Sequence, residues 1–361
     1  MNWSNKNEYP YTRSWIEIDT RILENNARHL RSKLMPGVKA MAVIKSDAYG
    51  HGAVEVAKRL DSLFEMFAVA DLHEAVKLRN AGIKAPLLVF AVPEKRSASV
   101  YKTYDLTAVV SDGSHFDHLE RGTRYHVKID TGMHRLGIDA GQLERVRAMI
   151  YANEGVVCTG IMTHFATADV LGSDLFARQG LELAEIIRFF NGRYMVHAAN
   201  TAALLYHTRT PADMVRTGIA LYGYDPVKPF MKELSPVMRW KSQVVQSRRL
   251  LRGEAVSYGA AWQAPETGYC ATIPVGYSDG YPRILSGKLP VFLQGRWGPQ
   301  VGRVTMEYIM VWLGREPVAE GAEVLVMGGE RNHAWHWARA ADTIPYEICC
   351  GISPGIPRIY V

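Results

Sequence analysis

Cysteine is scarce in this sequence. Its 361 residues include four cysteines, two of them adjacent (Cys349 and Cys350), and no two form a Cys-x-x-Cys pair. This usage argues against a disulfide framework and is typical of a reducing compartment. We therefore expect a cytoplasmic protein, and a membrane anchor that has been removed from the chain stays an open alternative.

Long apolar runs and blocks of one charge are also missing. No apolar stretch approaches the roughly 18 residues that cross a membrane, and the N-terminus lacks the apolar segment of a signal peptide. The formal net charge is +6, but the basic residues are dispersed and their one short cluster is RRLLR at residues 248–252. We interpret that cluster as a solvated face and expect no membrane segment and no nucleic-acid partner.

Short apolar strands alternate with amphipathic helical stretches through the first part of the chain. The strand-like runs are residues 39–45, 67–71, 86–91, 106–110, 126–130, 156–165, 193–200 and 214–223. Such alternation predicts parallel strands joined by helical crossovers. Eight units within roughly 220 residues indicate an α/β fold of the (β/α)8 TIM-barrel type. The sequence contains no GxGxxG fingerprint, which would have favoured an open doubly wound sheet.

The composition changes near Pro236, where strands bounded by glycine and proline begin to dominate. We predict a mostly-β C-terminal domain over residues 236–361, after a barrel over residues 14–235 and an N-terminal arm over residues 1–13. His333 and His336 lie close together in a helical stretch of the last domain, but no third ligand accompanies them at metal-site spacing. We therefore expect no metal.

Lys45 stands where an apolar strand gives way to a small polar loop and then to a helix. Barrel enzymes carry their chemistry in such loops, at the carboxyl ends of the strands. A lysine there, beside a helix that presents backbone N–H groups to an anion, suggests a Schiff base with a phosphate-bearing aldehyde such as pyridoxal phosphate. The alternative at this stage is a solvated lysine at a strand end.

The order of motifs along the chain resembles that of alanine racemases. The motifs are AVIKSDAYGHG, HVKIDTGMHRLG, MTHFATAD, HAANTAALL, VRTGIALYG, VSYGAAW, IPVGYSDGYPR and VGRVTMEY. The resemblance runs from about Trp15 to Arg358 and implies a fold-type III, pyridoxal 5′-phosphate-dependent isomerase. It implies racemisation of a small amino acid, L-alanine to D-alanine, for cell-wall peptidoglycan precursors, by a homodimer with shared active sites.

The resemblance implies a catalytic base on each face of the substrate. Lys45 matches the cofactor-binding lysine and first base, and Tyr258 matches the second. Lysine and tyrosine have ordinary pKa values near 10, so each needs burial or cationic neighbours to act near neutral pH.

Several cationic residues match the family's contacts around the ring and the substrate carboxylate. Arg216 matches the arginine at the pyridine nitrogen, where a guanidinium cannot accept a proton. Arg135 and the backbone of Met306 match the groups that bind the carboxylate. Lys128 matches a lysine that is often carbamylated and then positions the arginine.

Other matched residues surround the cofactor and the substrate channel. The phosphate-binding group comprises Tyr49, Asn200, Thr201, Gly218 and Ile219. His164 matches a histidine under the ring that links the tyrosine base to Arg216. Tyr277 and Tyr281 are expected at the channel entrance, with Tyr277 the better match.

Two positions depart from the family pattern. Glu307 follows Met306 where aspartate is common, and Pro354 stands where many members carry a tyrosine whose ring crowds the substrate side chain. A wider pocket is expected, and because pockets discriminate small side chains by only about 1–3 kcal/mol, a serine or serine/alanine racemase is the main alternative. A decarboxylase of the same architecture and a non-catalytic pyridoxal phosphate carrier are weaker alternatives.

Overall fold

The computed structural model describes residues 12–207, 212–228 and 232–361. The chain forms two compact units. The barrel unit comprises Leu23–Ala48 and Gly52–Ser235, and the β-rich unit comprises Tyr49–His51, Pro236–Val361 and the described residues up to Ile22. Of the predicted N-terminal arm, residues 1–11 lie outside the described residues. Strands and helices are numbered below in chain order.

Eight parallel strands close into a barrel, as the sequence predicts. They follow the order β5-β4-β3-β2-β10-β9-β8-β6, and β5 also pairs with β6. The barrel sheet consists of β2 (Lys39–Val43), β3 (Met66–Val69), β4 (Leu87–Val89), β5 (Thr107–Val110), β6 (Arg124–Asp130), β8 (Val157–Met162), β9 (Met195–His197) and β10 (Met214–Thr217), with β7 (Ile138–Asp139) beside β6. Strands such as β3 and β5 are buried along their whole length, which explains their continuous apolar runs.

Helices connect the barrel strands. They are α1 (Thr20–Ser32), α3 (Ala53–Leu60), α4 (Leu72–Asn80), α5 (Ala98–Thr103), α6 (Leu143–Ala152), α7 (Asp174–Phe190) and α8 (Thr201–Tyr206), and α2 (Lys45–Tyr49) is a single left-handed turn. No helix among the described residues is long and apolar enough to cross a membrane.

The β-rich unit is built on a second sheet in the order β12-β15-β18-β17-β16-β19-β11-β1-β20. Its strands are β1 (Ser14–Ile18), β11 (Met238–Gln243), β12 (Gln246–Leu250), β15 (Gly268–Ile273), β16 (Pro290–Leu293), β17 (Arg296–Val301), β18 (Ile309–Gly314), β19 (Glu323–Met327) and β20 (Arg358–Tyr360). A small hairpin (β13, Ala255–Val256, and β14, Trp262–Gln263) and two helices (α9, Ala334–Ala341, and α10, Pro345–Gly351) complete the unit.

The first strand belongs to the β-rich sheet, whereas the sequence analysis began the barrel at residue 14. β1 pairs antiparallel with β11 and parallel with β20. Trp15, Ile16 and Ile18 are each at most 1% exposed, so β1 contributes to this unit's core. Alternation along one strand predicts a strand but cannot reveal which distant strand pairs with it.

Candidate active site

Lys45 opens one turn of left-handed helix directly beyond β2. Backbone φ lies between +51° and +56° at Ser46, Asp47 and Ala48, and it is +54° at Tyr49. For L-residues this conformation costs roughly 1–2 kcal/mol per residue. The sequence predicts an ordinary polar loop here. Strain of this kind persists only where the surroundings fix it, and it is typical of functional sites.

The left-handed turn is fixed by hydrogen bonds to Asp47. Its N–H donates to Glu74 Oε1 at 3.0 Å, and Glu74 Oε2 also accepts from Ala70 N at 2.8 Å. The carboxylate of Asp47 accepts from the N–H of Ala53, the first residue of α3, at 3.1 Å, and from Lys77 Nζ at 2.9 Å. Residues on α3 and α4 thus hold the peptide segment that presents Lys45.

Arg216, on β10, is 3% exposed and uses both terminal nitrogens within the barrel. Nη1 donates to His197 Nδ1 at 2.8 Å and to the His197 carbonyl at 3.0 Å. Nη2 contacts the carbonyls of Thr163 and Ala198 at 2.8 and 2.9 Å and His164 Nδ1 at 3.0 Å. The Nε–H group has no hydrogen-bond partner in the described part of the chain, so one donor remains for a ligand.

The surroundings of Arg216 are cationic. No carboxylate among the described residues forms an ion pair with it, and burial followed by Arg135 lowers its pKa to about 9. The pKa of His164 lies well below its ordinary value because the ring is buried and faces Arg216, Lys128, Arg135 and Lys45. His164 is therefore neutral, and its Nδ1 accepts from Arg216 because a guanidinium only donates. The structure thus places His164 and Arg216 in direct contact, and Lys128, Arg135 and Lys45 are close enough to affect the pKa of the histidine.

Lys128, on β6, is 5% exposed, and burial, reinforced by Arg216, lowers its pKa to about 7. Its Nζ contacts the carbonyl of Ile129 at 3.4 Å. A lysine with this pKa is substantially neutral near physiological pH, and a neutral amine is the form that reacts with carbon dioxide.

The exposed Arg135 follows a turn that is held by Asp130. Asp130 Oδ1 accepts from the backbone N–H groups of Gly132, Met133 and His134 at 2.9, 3.0 and 3.1 Å. The turn therefore fixes the backbone just before Arg135.

Four of the predicted phosphate-binding residues meet at the ends of β9 and β10. Thr201 Oγ1 accepts from Gly218 N at 3.0 Å, and Asn200 Oδ1 caps α8 by accepting from Ala203 N at 3.0 Å. Ile219 begins a short 3-10 helix, and its N–H has no partner among the described residues. Unused N–H donors and a nearby hydroxyl suit an anion. Tyr49, the fifth predicted residue, belongs to the β-rich unit.

In the β-rich unit, Tyr258 is 70% exposed on a tight turn. Backbone φ is +67° at Ser257 and +72° at Gly259, and Ser257 Oγ donates to the carbonyl of Arg303 at 2.6 Å. The Arg303 guanidinium lies 3.2 Å from where a Cβ on Gly259 would be. The Tyr258 side chain is therefore mostly exposed to solvent, and the Arg303 guanidinium lies next to Gly259.

The loops that carry Tyr277 and Met306 are packed together through Gly276. A Cβ on Gly276 would lie 2.1 Å from the Met306 carbonyl oxygen, so only glycine permits this approach. That carbonyl accepts from the N–H and the hydroxyl of Ser278 at 3.1 and 2.8 Å. The Met306 N–H has no partner in the described part of the chain, and Tyr277 and Met306 are 43% and 54% exposed.

Glu307 forms an ion pair with Arg13, a residue that the sequence analysis assigned to the N-terminal arm. Ser278 Oγ also donates to Glu307 at 3.0 Å, and Arg13 contacts Asp279 at 3.4 Å. The hydrogen bond from Arg13 is the main reason that the pKa of Glu307 is below its ordinary value. The side chain of Glu307, one methylene longer than the aspartate that is common in the family, thus has a specific partner in Arg13.

Tyr281 does not lie at a channel entrance, contrary to the sequence prediction. It is 0% exposed, and its ring centroid is 4.5 Å from that of Trp337, so it is a core residue of the β-rich unit. Sequence spacing alone could not show that Tyr281 is buried whereas Tyr277 is exposed.

Pro354 is exposed in a turn that Arg358 holds through the carbonyls of Ser353 and Ile356, each at 2.6 Å.

Two residues that shape the site, His197 and Gln179, were not predicted from the sequence. His197 stands inside the HAANTAALL motif but was given no role, although it accepts from Arg216. Gln179, on α7, is 0% exposed and clamps the segment after β8, since it donates to the His164 carbonyl at 2.9 Å and accepts from Ala166 N at 2.8 Å. The sequence signal for Gln179 was its position on the otherwise apolar face of α7, where a buried polar side chain needs hydrogen-bond partners.

Family models match both units of the chain. The alanine racemase N-terminal domain matches residues 18–226, and the alanine racemase C-terminal domain matches residues 237–360. The chain belongs to the alanine racemase family. Family members are isomerases, and the recognition made from the motifs is confirmed.

Individual relatives agree with the family assignment. Alanine racemase of Symbiobacterium thermophilum is 37% identical over 96% of this chain and 97% of its own length. A crystal structure of alanine racemase from E. faecalis has a TM-score of 0.91 at 31% identity, covering 98% of this chain and 99% of its own. A Bacillus anthracis alanine racemase structure with bound L-Ala-P has a TM-score of 0.89 at 32% identity and covers 97% of this chain and 95% of its own.

The family depends on pyridoxal 5′-phosphate, which confirms the predicted cofactor, and the residues of this chain fit it. A lysine stands at the end of β2, and the buried Arg216 has one unused N–H. The N–H of Ile219 and the hydroxyl of Thr201 lie near each other around Gly218. Such groups suit the chemistry of an aldehyde, a ring nitrogen and a phosphate, the three parts of the cofactor that a protein must hold.

Proposed function

We propose that this protein interconverts L-alanine and D-alanine, with Lys45 and Tyr258 as the two bases. The observation that carries the proposal is the buried Arg216, whose one unused N–H is a donor and not an acceptor. The substrate assignment is supported by relatives named alanine racemase at 35–37% identity over nearly the whole chain. The serine alternative, inferred from Glu307 and Pro354, is not favoured by those relatives.

In this proposal the cofactor is held by Lys45 at its aldehyde, by Arg216 at its ring nitrogen and by the Thr201–Gly218 region at its phosphate. Asn200, Ile219 and the hydroxyl of Tyr49 complete the phosphate contacts. When bound, pyridoxal phosphate withdraws electrons from the substrate and so makes its Cα proton acidic.

The two bases act from opposite sides of the substrate. Lys45 Nζ takes or returns the Cα proton on one face, and the phenolic oxygen of Tyr258 does so on the other. The exposed setting of Tyr258 suits a residue that meets a ligand instead of the core of its own unit. Racemisation follows because the proton removed by one base is replaced by the other.

Arg216 restricts the reaction to proton transfer. Its side chain offers only N–H groups and carries a charge within a cationic surrounding, so it disfavours a proton on the ring nitrogen. With the cofactor bound, this setting would favour return of a proton to Cα over transamination. The decarboxylase alternative fits less well, since those enzymes place an acidic group at this nitrogen.

The substrate carboxylate is assigned to Arg135 and to the backbone N–H of Met306 of the partner subunit. A planar guanidinium can bind a carboxylate with two parallel hydrogen bonds, which fixes its orientation. Tyr277 and Glu307 line the approach to this site in the proposal. His164, which accepts a hydrogen bond from Arg216, would lie under the ring of the bound cofactor and link Arg216 to Tyr258.

We also propose a homodimer with shared active sites. The two bases lie in different units of the chain, and the family resemblance pairs the barrel of one subunit with the β-rich unit of the other. A non-catalytic cofactor carrier would need only the barrel, so Tyr258 and Met306 argue against that alternative. D-Alanine for cell-wall precursors is the proposed physiological product, in the cytoplasm as the cysteine usage indicates.

The substrate assignment is tested by racemisation of L-alanine and L-serine with purified protein and added pyridoxal phosphate. We expect kcat/KM for L-alanine to exceed that for L-serine by roughly tenfold or more, which is the discrimination that about 1–3 kcal/mol provides. Chiral chromatography of the products measures both rates. Equal or faster turnover of serine would reject the alanine assignment and make Pro354 the first residue to examine.

The second base is tested by Tyr258→Phe, which removes the hydroxyl and keeps the ring. We expect the absorbance of the bound cofactor to be retained and the turnover of L-alanine to fall by roughly 100-fold or more, because general acid–base groups contribute about 10²–10⁴-fold. Tyr151→Phe, at another exposed tyrosine, is the matched control and should leave turnover unchanged. Wild-type activity in Tyr258→Phe would remove the assignment.

Carbamylation of Lys128 is tested by the pH dependence of a ¹³CO2 adduct. With a pKa of about 7, the amine is mostly neutral at pH 8 and mostly protonated at pH 6. We therefore expect a carbamate signal in ¹³C NMR at pH 8 that weakens strongly at pH 6 and is missing from Lys128→Met. A spectrum at pH 8 identical to that of Lys128→Met would show that the lysine is unmodified.

A further inference from the structure

Two buried histidines lie side by side in the barrel interior, and the proposed mechanism uses neither of them directly. His126 on β6 is 1% exposed and His197 on β9 is 0% exposed. His126 Nδ1 and His197 Nε2 are 2.8 Å apart, and the ring centroids are separated by 4.9 Å with an interplanar angle of 66°. This geometry is a direct hydrogen bond between two imidazoles.

The direction of that hydrogen bond is fixed by Arg216. Arg216 Nη1 lies 2.8 Å from His197 Nδ1, and a guanidinium can only donate, so this nitrogen carries no proton. Burial and the charge of Arg216 lower the pKa of His197 well below its ordinary value and that of His126 to about 3. Both rings are therefore neutral. His197 must then carry its proton on Nε2 and donate it to His126 Nδ1.

The place of the His126 ring is set by a glycine on the neighbouring strand. His126 and Gly160 are partners in the register of β6 and β8. A Cβ on Gly160 would lie 2.7 Å from Cδ2 and 2.8 Å from Nε2 of the His126 ring. The ring therefore occupies the space that any side chain at residue 160 would fill, and this packing holds Nδ1 toward His197.

We infer that His126 is a positioning residue for Arg216 and acts through the tautomer of His197. The acceptor at His126 Nδ1 keeps the proton of His197 on Nε2, and this leaves Nδ1 of His197 available to Nη1 of Arg216. With both hydrogens of Nη1 engaged by His197, the guanidinium is held so that its unused Nε–H faces the ligand. The last step rests on the proposed contact between Arg216 and the cofactor ring.

Loss of the acceptor at residue 126 has a defined consequence. The Nε2–H group of His197 would be buried without a partner, and such a group is costly. A flip of the His197 ring would relieve it, but the flip would withdraw the nitrogen that accepts from Arg216. The guanidinium would then lose one of its fixed contacts, and its orientation toward the ring nitrogen would be less well defined.

The test compares His126→Asn with His126→Gln and His126→Leu in the holoenzyme. Asparagine places an amide oxygen near the position of Nδ1, whereas glutamine places its amide near Nε2 and leucine offers no acceptor. We expect kcat for L-alanine to fall about 10- to 100-fold in the glutamine and leucine variants, in line with the loss of an outer hydrogen-bond partner. His126→Asn should stay within about threefold of wild type.

Two further readouts separate positioning from a general loss of structure. The KM for L-alanine should change less than about threefold in all variants, and the absorbance band of the bound cofactor should shift in His126→Gln and His126→Leu but not in His126→Asn. Gly160→Ala, which displaces the ring without removing a titratable group, should shift the band in the same direction.

The inference is overturned if His126→Gln has the kcat and spectrum of wild type, or if His126→Asn is impaired as strongly as His126→Gln. Should His126→Leu fail to fold, the asparagine and glutamine pair still decides. If wild-type protein binds the cofactor but does not racemise alanine, the proposed function fails, and the absorbance comparison among the variants still tests His126.

Discussion

The structure depends on one buried cation that has no ion pair among the described residues. Arg216 is held at 3% exposure by three backbone carbonyls and two neutral imidazole nitrogens. Burial of a charge costs several kcal/mol even after relaxation, so this arrangement persists because nearly every N–H of the guanidinium is satisfied. A carboxylate partner would have offset more of this cost, but in the proposed function it would also have changed the charge beside the cofactor ring.

Neutral partners and cationic neighbours follow from that constraint. Burial lowers the pKa values of His164 and His197, and the neighbouring Arg216 charge lowers them further because protonation would add charge beside the guanidinium. The same two causes, burial and Arg216, lower the pKa of Lys128 to about 7. The left-handed turn after β2 has a strained backbone conformation, and the hydrogen bond between Asp47 and Glu74 stabilises it. The hydrogen bonds around Arg216 and the turn that begins at Lys45 each fix the orientation of one side chain at the end of a barrel strand.

The barrel and the β-rich domain could be predicted from the sequence, and candidate site residues could be proposed, because each has a local signal. Buried strands are apolar runs, and Lys45, Arg216 and Gly218 lie in short motifs at strand ends. Contacts between distant segments had no such signal. The pairing of β1 with β11, the burial of Tyr281 and the ion pair between Arg13 and Glu307 all join positions far apart in the chain.

The central claim is that Arg216 keeps the ring nitrogen of the cofactor unprotonated. It is tested most directly by ¹⁵N NMR of the holoenzyme reconstituted with pyridoxal phosphate labelled at that nitrogen. We expect the chemical shift of an unprotonated pyridine that accepts a hydrogen bond, unchanged between pH 7 and pH 9. The shift of a protonated pyridinium at neutral pH would contradict it.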